Sequence, residues 1–334
     1  MKEHHHPSTS VIILNWNGEY MLRRYLPAVL STTDSSVGEV IVADNGSTDG
    51  SVDFLAAEFP QVRVLCLDRN YGFAEGYNRA ISMVDTEFVV LLNSDVRPAS
   101  GWLGPLVDYM KSNPSAGACQ PKILSDIEPE KFEYAGACGG FLDCNGYPYC
   151  RGRIFDTIES DQGQYDSNMN VDWASGAALM VRRDLYIKSG GLDADFFAHM
   201  EEIDLCWRIR LAGMTVGVVP ESVVFHLGGG TLPQGNPRKV YLNFRNNLLL
   251  LHKNLPDCIR RRRLFVRRLY DTLAFAMFVV RMDWKSAGAV LRAHRDFRKM
   301  RSKYTTRPHD NLLSGHNNII ADYYLHRKKK YSDL

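Results

Sequence analysis

Short apolar runs alternate with stretches of helical periodicity between residues 11 and 92. Runs rich in Val, Ile and Leu predict strands at residues 11–14, 40–43, 62–67 and 88–92. Between them, apolar residues recur with the period of an α-helix, which predicts helices at 20–30, 52–58 and 74–83. The alternation predicts an α/β fold with a mainly parallel central sheet flanked by helices.

Each predicted strand ends in a polar loop. These loops comprise residues 15–18, 44–49, 69–72 and 93–95. In open parallel sheets, ligands bind where such loops leave the carboxyl ends of the strands. We therefore expect the four loops to converge on one crevice and to form a binding site there.

The rest of the chain is less regular. Residues 122–170 are rich in Gly, Tyr, Cys and acidic residues without a clear period, which predicts an irregular insertion over the crevice. Periodicity then returns and predicts a strand at 177–181, a helix at 201–211 that ends before Gly213, and strands at 215–219 and 223–225. Beyond Pro256 the sequence is helical and basic.

Composition adds a boundary to this picture. With 334 residues, 45% of them hydrophobic and 23% charged, the chain can bury a large core. The net charge of +2 hides an asymmetry, because residues 256–334 contain 19 Lys and Arg against 7 Asp and Glu. We therefore divide the chain into a domain at 1–255 and a basic, largely helical extension at 256–334. Nucleic acid, acidic lipid and the acidic first domain are all candidate partners for the extension.

Targeting and redox signals are sparse. The chain begins with a polar segment containing three histidines at 4–6, and the apolar run 272–280 is about half of the ~20 residues that a transmembrane helix needs. A cytoplasmic enzyme is the default expectation. The seven cysteines are interpreted as reduced thiols, with a zinc site at Cys138, Cys144 and Cys150 as the alternative.

Asp95 is the first candidate for chemistry. It follows the buried run at 88–92, and Asn93, two positions earlier, can point to the same side of an extended chain. A carboxylate at the end of a buried strand can hold Mg²⁺ or Mn²⁺. An aspartate after a strand is also an ordinary turn residue.

Several segments resemble a known family when they are taken together. The first four are VIILNWNG, ADNGSTDGS, NYGFAEGYNRA and LLNSDV, and the fifth is SGAALMVRRDLYIKSGGLDADFFAHMEEIDLCWRIRLAG. Their order and spacing resemble those of family 2 glycosyltransferases with the GT-A fold, and bacterial rhamnosyltransferase-like members in particular. The resemblance covers residues 11 to about 250 and implies that residues 1–255 are the catalytic domain.

The resemblance implies a donor-nucleotide site at the loop ends. Asp44 would contact the base, and Asn15 and Trp16 would wall the same pocket, although Asp44 is also a typical turn former. Arg245 would neutralise charge on the leaving group or serve as a structural ion-pair partner. The full predicted set is Asn15, Trp16, Asp44, Asn45, Asn70, Gly72, Asn78, Asn93, Ser94 and Arg245.

The resemblance also implies a divalent metal, Mn²⁺ or Mg²⁺, as cofactor. LLNSDV is similar to the family's DxD motif, but Asn93 stands in the first acidic place, so metal binding falls on Asp95. His226, at the end of the run VVFH, matches the histidine that ligates the metal from the opposite side. Glycines 228–230 would let backbone amides approach phosphate.

The catalytic base is implied by the sequence EEID at residues 201–204. Glu202 matches the base that takes the proton of the acceptor hydroxyl while the nucleotide leaves from the opposite face, which inverts the anomeric centre. The family typically has Asp at this position, so Glu201 or Asp204 can share the role. Alternatively, acids at a helix start merely favour the helix dipole.

The predicted partners follow from this assignment. The donor would be a UDP-, dTDP- or GDP-sugar, and the acceptor a glycan or lipid-linked saccharide of surface polysaccharide or cell wall. The basic extension would bind the cytoplasmic membrane face peripherally, with Phe275, Met277 and Phe278 entering the lipid interface, or would pack on the acidic domain. No nucleic-acid role is expected, because no binding motif accompanies the charge.

Three other functions were compared with this one. A nicotinamide-dependent oxidoreductase needs GxGxxG after the first strand, where this chain has NWNGEY. A processive synthase needs membrane-spanning helices and, in its part of the family, a QxxRW motif. A catalytically silent module that binds a nucleotide or glycan remains the alternative, although the acids and the histidine of the catalytic pattern are present.

Overall fold

The computed structural model describes residues 8–228, 236–304, 311–313 and 318–334. The strands are β1 (Thr9–Asn15), β2 (Gly38–Asp44), β3 (Arg63–Cys66), β4 (Phe88–Leu92), β5 (Val96–Pro98), β6 (Ala116–Ser125), β7 (Gly140–Leu142), β8 (Pro148–Cys150), β9 (Arg153–Ile154), β10 (Thr157–Ile158), β11 (Met169–Val171), β12 (Ala178–Arg182) and β13 (Thr215–His226). The helices are α1 (Glu19–Thr32), α2 (Ser51–Glu58), α3 (Gly72–Ser82), α4 (Leu103–Ser112), α5 (Arg183–Lys188), α6 (Glu201–Leu211), α7 (Pro237–Asn254), α8 (Asp257–Val280), α9 (Trp284–Met300) and α10 (Ile319–Tyr324).

The central sheet has the order β11–β13–β6–β12–β4–β1–β2–β3, with β5 paired to β13. β3, β2, β1 and β4 form a continuous parallel run. β12 is antiparallel to both β4 and β6, whereas β6 and β13 are parallel. The predicted α/β sheet with flanking helices is confirmed, and its parallel half contains the four strands predicted first.

The strands of this half are buried on both faces, which is why they read as unbroken apolar runs. On β1, Val11 and Ile13 pack in one core with Leu22 of α1. Ile12, between them, packs in a second core with Tyr77 of α3. Successive side chains of a strand point to opposite faces, so helices cover both sides of the sheet.

The prediction of two strands at 215–219 and 223–225 was wrong, because β13 is one strand. Val219 pairs with Pro121 and Val223 pairs with Lys122, so three residues of β13 bulge opposite two consecutive residues of β6. Pro220 lies in this bulge and has no N–H to donate. The interruption in the sequence is therefore a local irregularity and not the end of the strand.

The prediction of an irregular insertion at 122–170 was also wrong. The region contains the end of β6, the strand β11, and a second sheet with the order β10–β9–β8–β7. The four strands of this small sheet have two or three residues each. Such strands are too short to show an alternating pattern in the sequence.

α8, α9 and α10 confirm that the region after residue 255 is helical. Among the residues that the structure describes, no helix is long and apolar enough to cross a membrane. The division at residue 255 remains a prediction, and the described contacts cross it. Ile319 and Tyr323 of α10 form a small core with Tyr149 of β8 and Ile154 of β9.

Candidate active site

The loops after β1 and β2 are joined by side-chain hydrogen bonds. Asn15 lies opposite Asp44 in the parallel pairing of these strands. The Asn15 Nδ2 group donates to Asp44 Oδ1 at 3.0 Å and to Ser47 Oγ at 3.2 Å. Asp44 Oδ2 accepts from the backbone N–H of Ser47 at 2.9 Å, so Asp44 forms the turn expected of it. Trp16 is 55% exposed on the same loop.

A second set of bonds joins the loops after β2 and β3. Asn45 Nδ2 donates to Asn70 Oδ1 at 3.1 Å and to the carbonyl of Gly72 at 3.0 Å. Gly46 has φ +71°, and a Cβ there would lie 2.5 Å from Cα of Arg69, so only glycine lets the loops approach this closely. Three of the four predicted loops therefore meet.

The fourth loop meets β13. Residues 93–95 connect β4 to β5, and antiparallel pairing of β5 with β13 places Val96 opposite His226. Asp95 Oδ1 lies 3.1 Å from His226 Nε2, and Asn93 Nδ2 lies 3.4 Å from the same nitrogen. Ser94 lies between them in the turn. The structure thus joins two residues predicted as metal ligands from positions 131 residues apart in the sequence.

Asp95 and His226 fit one divalent ion. Two ligands about 2.1 Å from a metal at adjacent octahedral positions are about 3 Å apart, close to the observed 3.1 Å between Asp95 Oδ1 and His226 Nε2. Across the described residues, no group of three or more His, Cys, Asp or Glu side chains is arranged to hold a metal. Mg²⁺ is commonly held by one or two carboxylates together with substrate phosphates and water, and Asp95 is a ligand of that kind.

Glu133 is a partner of this pair that the sequence did not reveal. It lies in the segment after β6, is buried, and places Oε2 3.5 Å from His226 Nδ1. Burial alone lowers the pKa of His226, but contacts with Asp95 and Glu133 outweigh it and raise the pKa to about 10. A metal ion would compete with that proton. Glu133 was missed because it belongs to the region 122–170, where no periodicity marked its place.

The phosphate-binding glycines are described only in part. Gly228 follows His226 with φ +65°, and a Cβ there would lie 2.7 Å from Glu133 Oε1. Gly229 and Gly230 lie outside the described residues. The predicted approach of these amides to phosphate therefore stays a prediction.

Glu201 and Glu202 open α6 with unusual carboxyl groups. Oε2 of each is buried without a hydrogen-bond partner in the described structure. Burial raises the pKa of Glu202 to about 7. The pKa of Glu201 is also raised, first by burial and then by the negative charge of Glu202. A carboxyl group with a pKa near neutrality is suited to accept and release a proton at working pH.

The residues just before β12 lie between the start of α6 and the loop of Asn93. A Cβ on Gly176 would lie 3.7 Å from Cβ of Glu202, so this glycine leaves room beside the carboxyl stem. The next residue, Ala177, accepts a 3.0 Å hydrogen bond from the backbone N–H of Asn93. One short segment therefore contacts both the acid at the start of α6 and the loop that carries the predicted metal ligand.

Asp204 has a different environment from the two glutamates. It is fully buried, and Oδ2 accepts from Arg208 and Lys253 at 2.8 Å each, while Oδ1 accepts from Asn254 at 2.8 Å. Burial alone would raise the pKa of Asp204, but these cations and bonds outweigh it and lower the pKa. Both of its oxygens are thus engaged by protein groups.

Two predicted donor contacts are also engaged by the protein. Asn78 Oδ1 accepts from the hydroxyl of Tyr186 at 2.6 Å and from the backbone N–H of Leu192 at 2.9 Å. Arg245 donates to the carbonyls of Asp195 at 3.0 Å and Phe196 at 2.7 Å. Arg245 therefore has a structural contact, as one of the two stated alternatives has it, but its partners are backbone carbonyls and not a carboxylate.

The segment before α6 has a strained backbone. Phe197, His199 and Met200 have φ values of 66°, 68° and 77°, in the left-handed region that side-chain-bearing residues rarely adopt. Asn246 of α7 holds this segment, because its Nδ2 lies 2.7–2.8 Å from three carbonyl oxygens, those of Phe196, Ala198 and His199, which share its two hydrogens. Asn246 stands beside Arg245 in the stretch YLNFRNN, but this contact could not be predicted from that stretch, because it joins segments 47–50 residues apart.

The cysteines that suggested zinc are arranged otherwise. Cys138 Sγ and Cys150 Sγ lie 3.4 Å from the guanidinium groups of Arg151 and Arg153, respectively. Burial raises the pKa of the Cys138, Cys144 and Cys150 thiols, which disfavours the thiolates that zinc requires. All seven cysteines are free thiols.

Two relatives share extended similarity with the chain. It is 28% identical over 230 residues to the N-acetylglucosaminyl-diphospho-decaprenol L-rhamnosyltransferase of Mycobacterium tuberculosis, covering 65% of this chain and 75% of that one. It is 25% identical over 277 residues to the dTDP-rhamnosyl transferase RfbF of Shigella flexneri, covering 79% and 87%, respectively.

Solved structures share the fold at lower identity. The mannosyltransferase PcManGT from Pyrobaculum calidifontis, in complex with GDP-Man and Mn²⁺, aligns with a TM-score of 0.53 at 15% identity over 90% of this chain and 84% of that one. GalNAc-T7 with UDP, GalNAc and Mn²⁺ aligns with a TM-score of 0.57 at 15% identity over 75% of this chain, which spans about half of that protein (48%). These alignments support the GT-A fold.

The family itself is shown by the sequence. The Glycosyl transferase family 2 profile matches residues 10–185, which is more than half of the chain. The matched region contains the parallel run of the sheet and its converging loops, including Asp95. By this match the chain belongs to glycosyl transferase family 2.

Proposed function

We propose that this glycosyltransferase is metal-dependent and inverting, and that it transfers a sugar from a UDP-, dTDP- or GDP-sugar to the hydroxyl of a glycan or lipid-linked saccharide. The two relatives act, by their names, on rhamnosyl groups, and one of them on a decaprenol-linked saccharide. These names favour a deoxyhexose donor and an acceptor of surface polysaccharide or cell-wall assembly.

The observation that carries the proposal is the state of Glu202. Its Oε2 is buried without a partner in the described structure, its pKa is raised to about 7, and it adjoins the loop of Asn93 and Asp95 through Gly176 and Ala177. A general base must be close to the reacting hydroxyl and must hold a proton only weakly at working pH. Glu202 is therefore assigned as the base, and Glu201, whose carboxyl group is coupled to it, as its neighbour.

The proposed reaction is a single displacement. The acceptor oxygen forms a bond to C1 of the donor sugar as the bond between C1 and the phosphate oxygen breaks. The electron pair of the broken bond leaves with the nucleotide diphosphate, and the hydroxyl proton passes to Glu202. Attack and departure occur on opposite faces, so the configuration at C1 inverts.

The leaving diphosphate needs positive charge beside it. A divalent ion bound there would supply that charge as a Lewis acid. Asp95 and His226 would hold the ion, Asn93 would meet the ribose or a metal-bound water, and Glu133 would orient the imidazole from its other nitrogen. The nucleotide base would lie against Trp16, with Asn15 and Asp44 forming the wall of its pocket.

Asn78, Arg245 and Asp204 receive positioning roles in this scheme. Asn78 bonds to Tyr186, Arg245 bonds to the carbonyl of Phe196, and Asp204 bonds to Asn254. All three side chains are thus engaged by protein groups. Asn45, Asn70 and Gly72 set the shape of the donor loops through their bonds to one another. This assignment replaces direct donor contact for Asn78 and Arg245.

A nucleotide-sugar panel tests the proposal. Purified protein with Mn²⁺ or Mg²⁺ is supplied with UDP-, dTDP- and GDP-sugars and short polyprenyl diphosphate saccharides, and release of the nucleotide diphosphate is measured. We expect metal-dependent turnover of one donor that falls at least about 100-fold in Glu202→Gln and Asp95→Ala. Glu221→Gln, an exposed change on the strand of His226, is the matched control.

Two outcomes would contradict the scheme. Turnover that is independent of metal and unaffected by either substitution would remove the assigned roles of Asp95 and Glu202. Nucleotide binding by calorimetry without turnover of any donor and acceptor pair would instead support the silent binding module.

A further inference from the structure

One face of α8 carries an apolar stripe that no described part of the chain covers. Its most exposed members are Phe265, Leu269, Leu273 and Val280, which are 60%, 52%, 64% and 83% exposed. Their spacing of four, four and seven residues keeps them on one side of the helix. The buried residues of α8 are Leu264, Arg267 and Asp271, which lie on the opposite side.

The stripe continues beyond the end of the helix. Met282, in the turn after α8, and Trp284, the first residue of α9, are 75% and 66% exposed. With 24 residues, α8 is roughly 36 Å long, so the exposed face is an extended strip rather than a single patch. Exposed apolar strips of this kind mark contact with a partner or a membrane. We call Phe265, Leu269, Leu273, Val280, Met282 and Trp284 the apolar stripe.

Charge on the same helix indicates which partner. Arg260 and Arg267 are paired with Asp257 and Asp271. Arg261, Arg262 and Arg268 are exposed and form no ion pair with any described residue. Between residues 258 and 280 the only acid is the buried Asp271. Apart from Asp257, which pairs with Arg260, the exposed charged side chains of α8 are arginines.

We propose that the apolar stripe and its flanking arginines bind peripherally to a bilayer that contains anionic lipid. An amphipathic helix lies in the plane of the interface with its apolar side chains among the acyl chains, and basic residues meet the lipid phosphates. Tryptophan at the end of the stripe suits the headgroup level. A second copy of the chain is a poorer occupant, because the acids beside this face are already engaged: Asp257 pairs with Arg260, and Asp283 caps α9.

The stripe differs from the residues expected to enter the membrane. Met277 is 48% exposed at the edge of the stripe, but Phe275 and Phe278 are half-buried toward the protein. The surface accordingly begins at Phe265, about three helical turns before Phe275, and includes Leu269 near the arginines. Binding through this face is independent of which sugar the enzyme transfers.

Vesicle partitioning of the full chain tests the inference. The probes are vesicles of phosphatidylcholine alone and of phosphatidylcholine with 30% phosphatidylglycerol, a composition chosen as roughly that of an anionic leaflet. We expect the wild type to bind the anionic vesicles and to release them in high salt. Leu269→Glu/Leu273→Glu should bind more than about tenfold less, because two leucine side chains no longer enter the acyl chains of the bilayer. Arg262→Gln/Arg268→Gln should lose about tenfold on anionic vesicles alone.

The matched control is Met83→Glu/Ile127→Glu, which places the same two charges at exposed apolar positions outside the basic extension. It should bind vesicles as the wild type does. Equal partitioning of the wild type and the leucine variant, or no binding of the wild type to anionic vesicles, would overturn the inference. So would a lipid-free dimer, measured by light scattering, that Leu269→Glu/Leu273→Glu converts to a monomer. Nucleotide release in solution should not change in these variants, so failure here is separate from failure of the proposed reaction.

Discussion

Glu202 and Asp204 lie on the same first turn of α6, but their pKa values are shifted in opposite directions. In the described structure, Oε2 of Glu202 is buried without a hydrogen-bond partner, whereas Asp204 is surrounded by Arg208, Lys253 and Asn254. Desolvation penalises the charged form of both acids, and only Asp204 has the opposite charges that outweigh it. The sequence EEID presents three acids of similar appearance, and their environments separate a proton acceptor from a structural ion.

The raised pKa of Glu202 predicts the pH dependence of the reaction. Only the carboxylate accepts a proton, so kcat/KM should be constant above about pH 7 and fall about tenfold per pH unit below it. Measurement of kcat/KM between pH 5.5 and 9 with saturating metal would show this limb. Glu202→Asp should move the limb while retaining some activity, and a limb that persists unchanged in Glu202→Gln would assign it to another group.

The same pKa predicts that Glu202 destabilises the fold at high pH. The folded group holds its proton up to about pH 7, whereas the unfolded group loses it near 4.5. Between these values the folded state binds more protons, so stability falls as pH rises and remains lower above pH 7. Glu202→Gln should therefore increase the free energy of unfolding by about 1–3 kcal/mol at pH 8 and by much less at pH 5. Urea titrations at both pH values measure this, and an equal or lower stability of the variant at pH 8 would contradict it.

Asp204 should behave in the opposite way. Its lowered pKa means that it contributes stability above its unfolded pKa, and this contribution is lost as pH falls through the folded pKa. Asp204→Asn removes the counter-charge of Arg208 and leaves Lys253 paired with Asp193 alone, so we expect a loss of about 3 kcal/mol at pH 7. The loss should shrink as the pH is lowered below 3.8, and the comparison is made by thermal unfolding. A stable Asp204→Asn protein that lacks activity would instead indicate that Asp204 acts in the reaction itself, as the alternative base.

At the scale of elements, side chains of α7 bond to the backbone just before α6. The side chain of Asn246 donates to three carbonyls of the strained segment at 196–199, and Arg245 donates to the carbonyls of Asp195 and Phe196. Strained backbone persists only when the surrounding structure holds it. The orientation of Glu202 therefore depends on a helix about 45 residues further along the chain.

Asn246→Ala tests this dependence. Three carbonyls lose their donor, so we expect the free energy of unfolding to fall by about 2–4 kcal/mol. The value of kcat should fall about tenfold or more while KM for the donor changes less than about twofold, because the base is displaced and the nucleotide loops are intact. Asn247→Ala is the control, since this neighbouring amide bonds to Gly146 and Arg267 instead. Equal effects of both variants on kcat would show that α7 acts only through overall stability.

The sequence predicted elements where burial on both faces left a strong pattern. β4 and α6 were predicted with the bounds that the structure shows, and the loops of Asn15, Asp44 and Asn93 follow directly from the parallel strands. β7 to β10 were not predicted, because strands of two or three residues are too short to show an alternation of apolar and polar residues. Glu133 and Asn246 escaped because their roles arise from contacts between elements distant in sequence, for which one sequence gives no signal.

At the scale of the whole molecule, the end of the chain completes the small sheet of β7 to β10. The backbone N–H of Ile319 donates to Asp143 Oδ2 at 3.1 Å across 176 positions. Tyr323 shares a 2.9 Å hydrogen bond between hydroxyls with Thr157. The ring of Tyr331 stacks on Phe141 with centroids 5.3 Å apart. The small sheet therefore obtains part of its core from the basic extension, and the two proposed parts of the chain depend on each other.

This dependence predicts that a change in α10 destabilises the small sheet. Ile319 is fully buried against it, so Ile319→Ala should lower the free energy of unfolding by about 2–4 kcal/mol through the cavity that it leaves. Leu325, at the end of the same helix, is 76% exposed, and Leu325→Ala should cost less than about 0.5 kcal/mol. Hydrogen exchange should show faster amide exchange at β7 and β8 in Ile319→Ala alone. If both variants unfolded alike and residues 140–150 kept their protection, the catalytic part would fold without the extension, and the boundary at residue 255 would separate two independent domains.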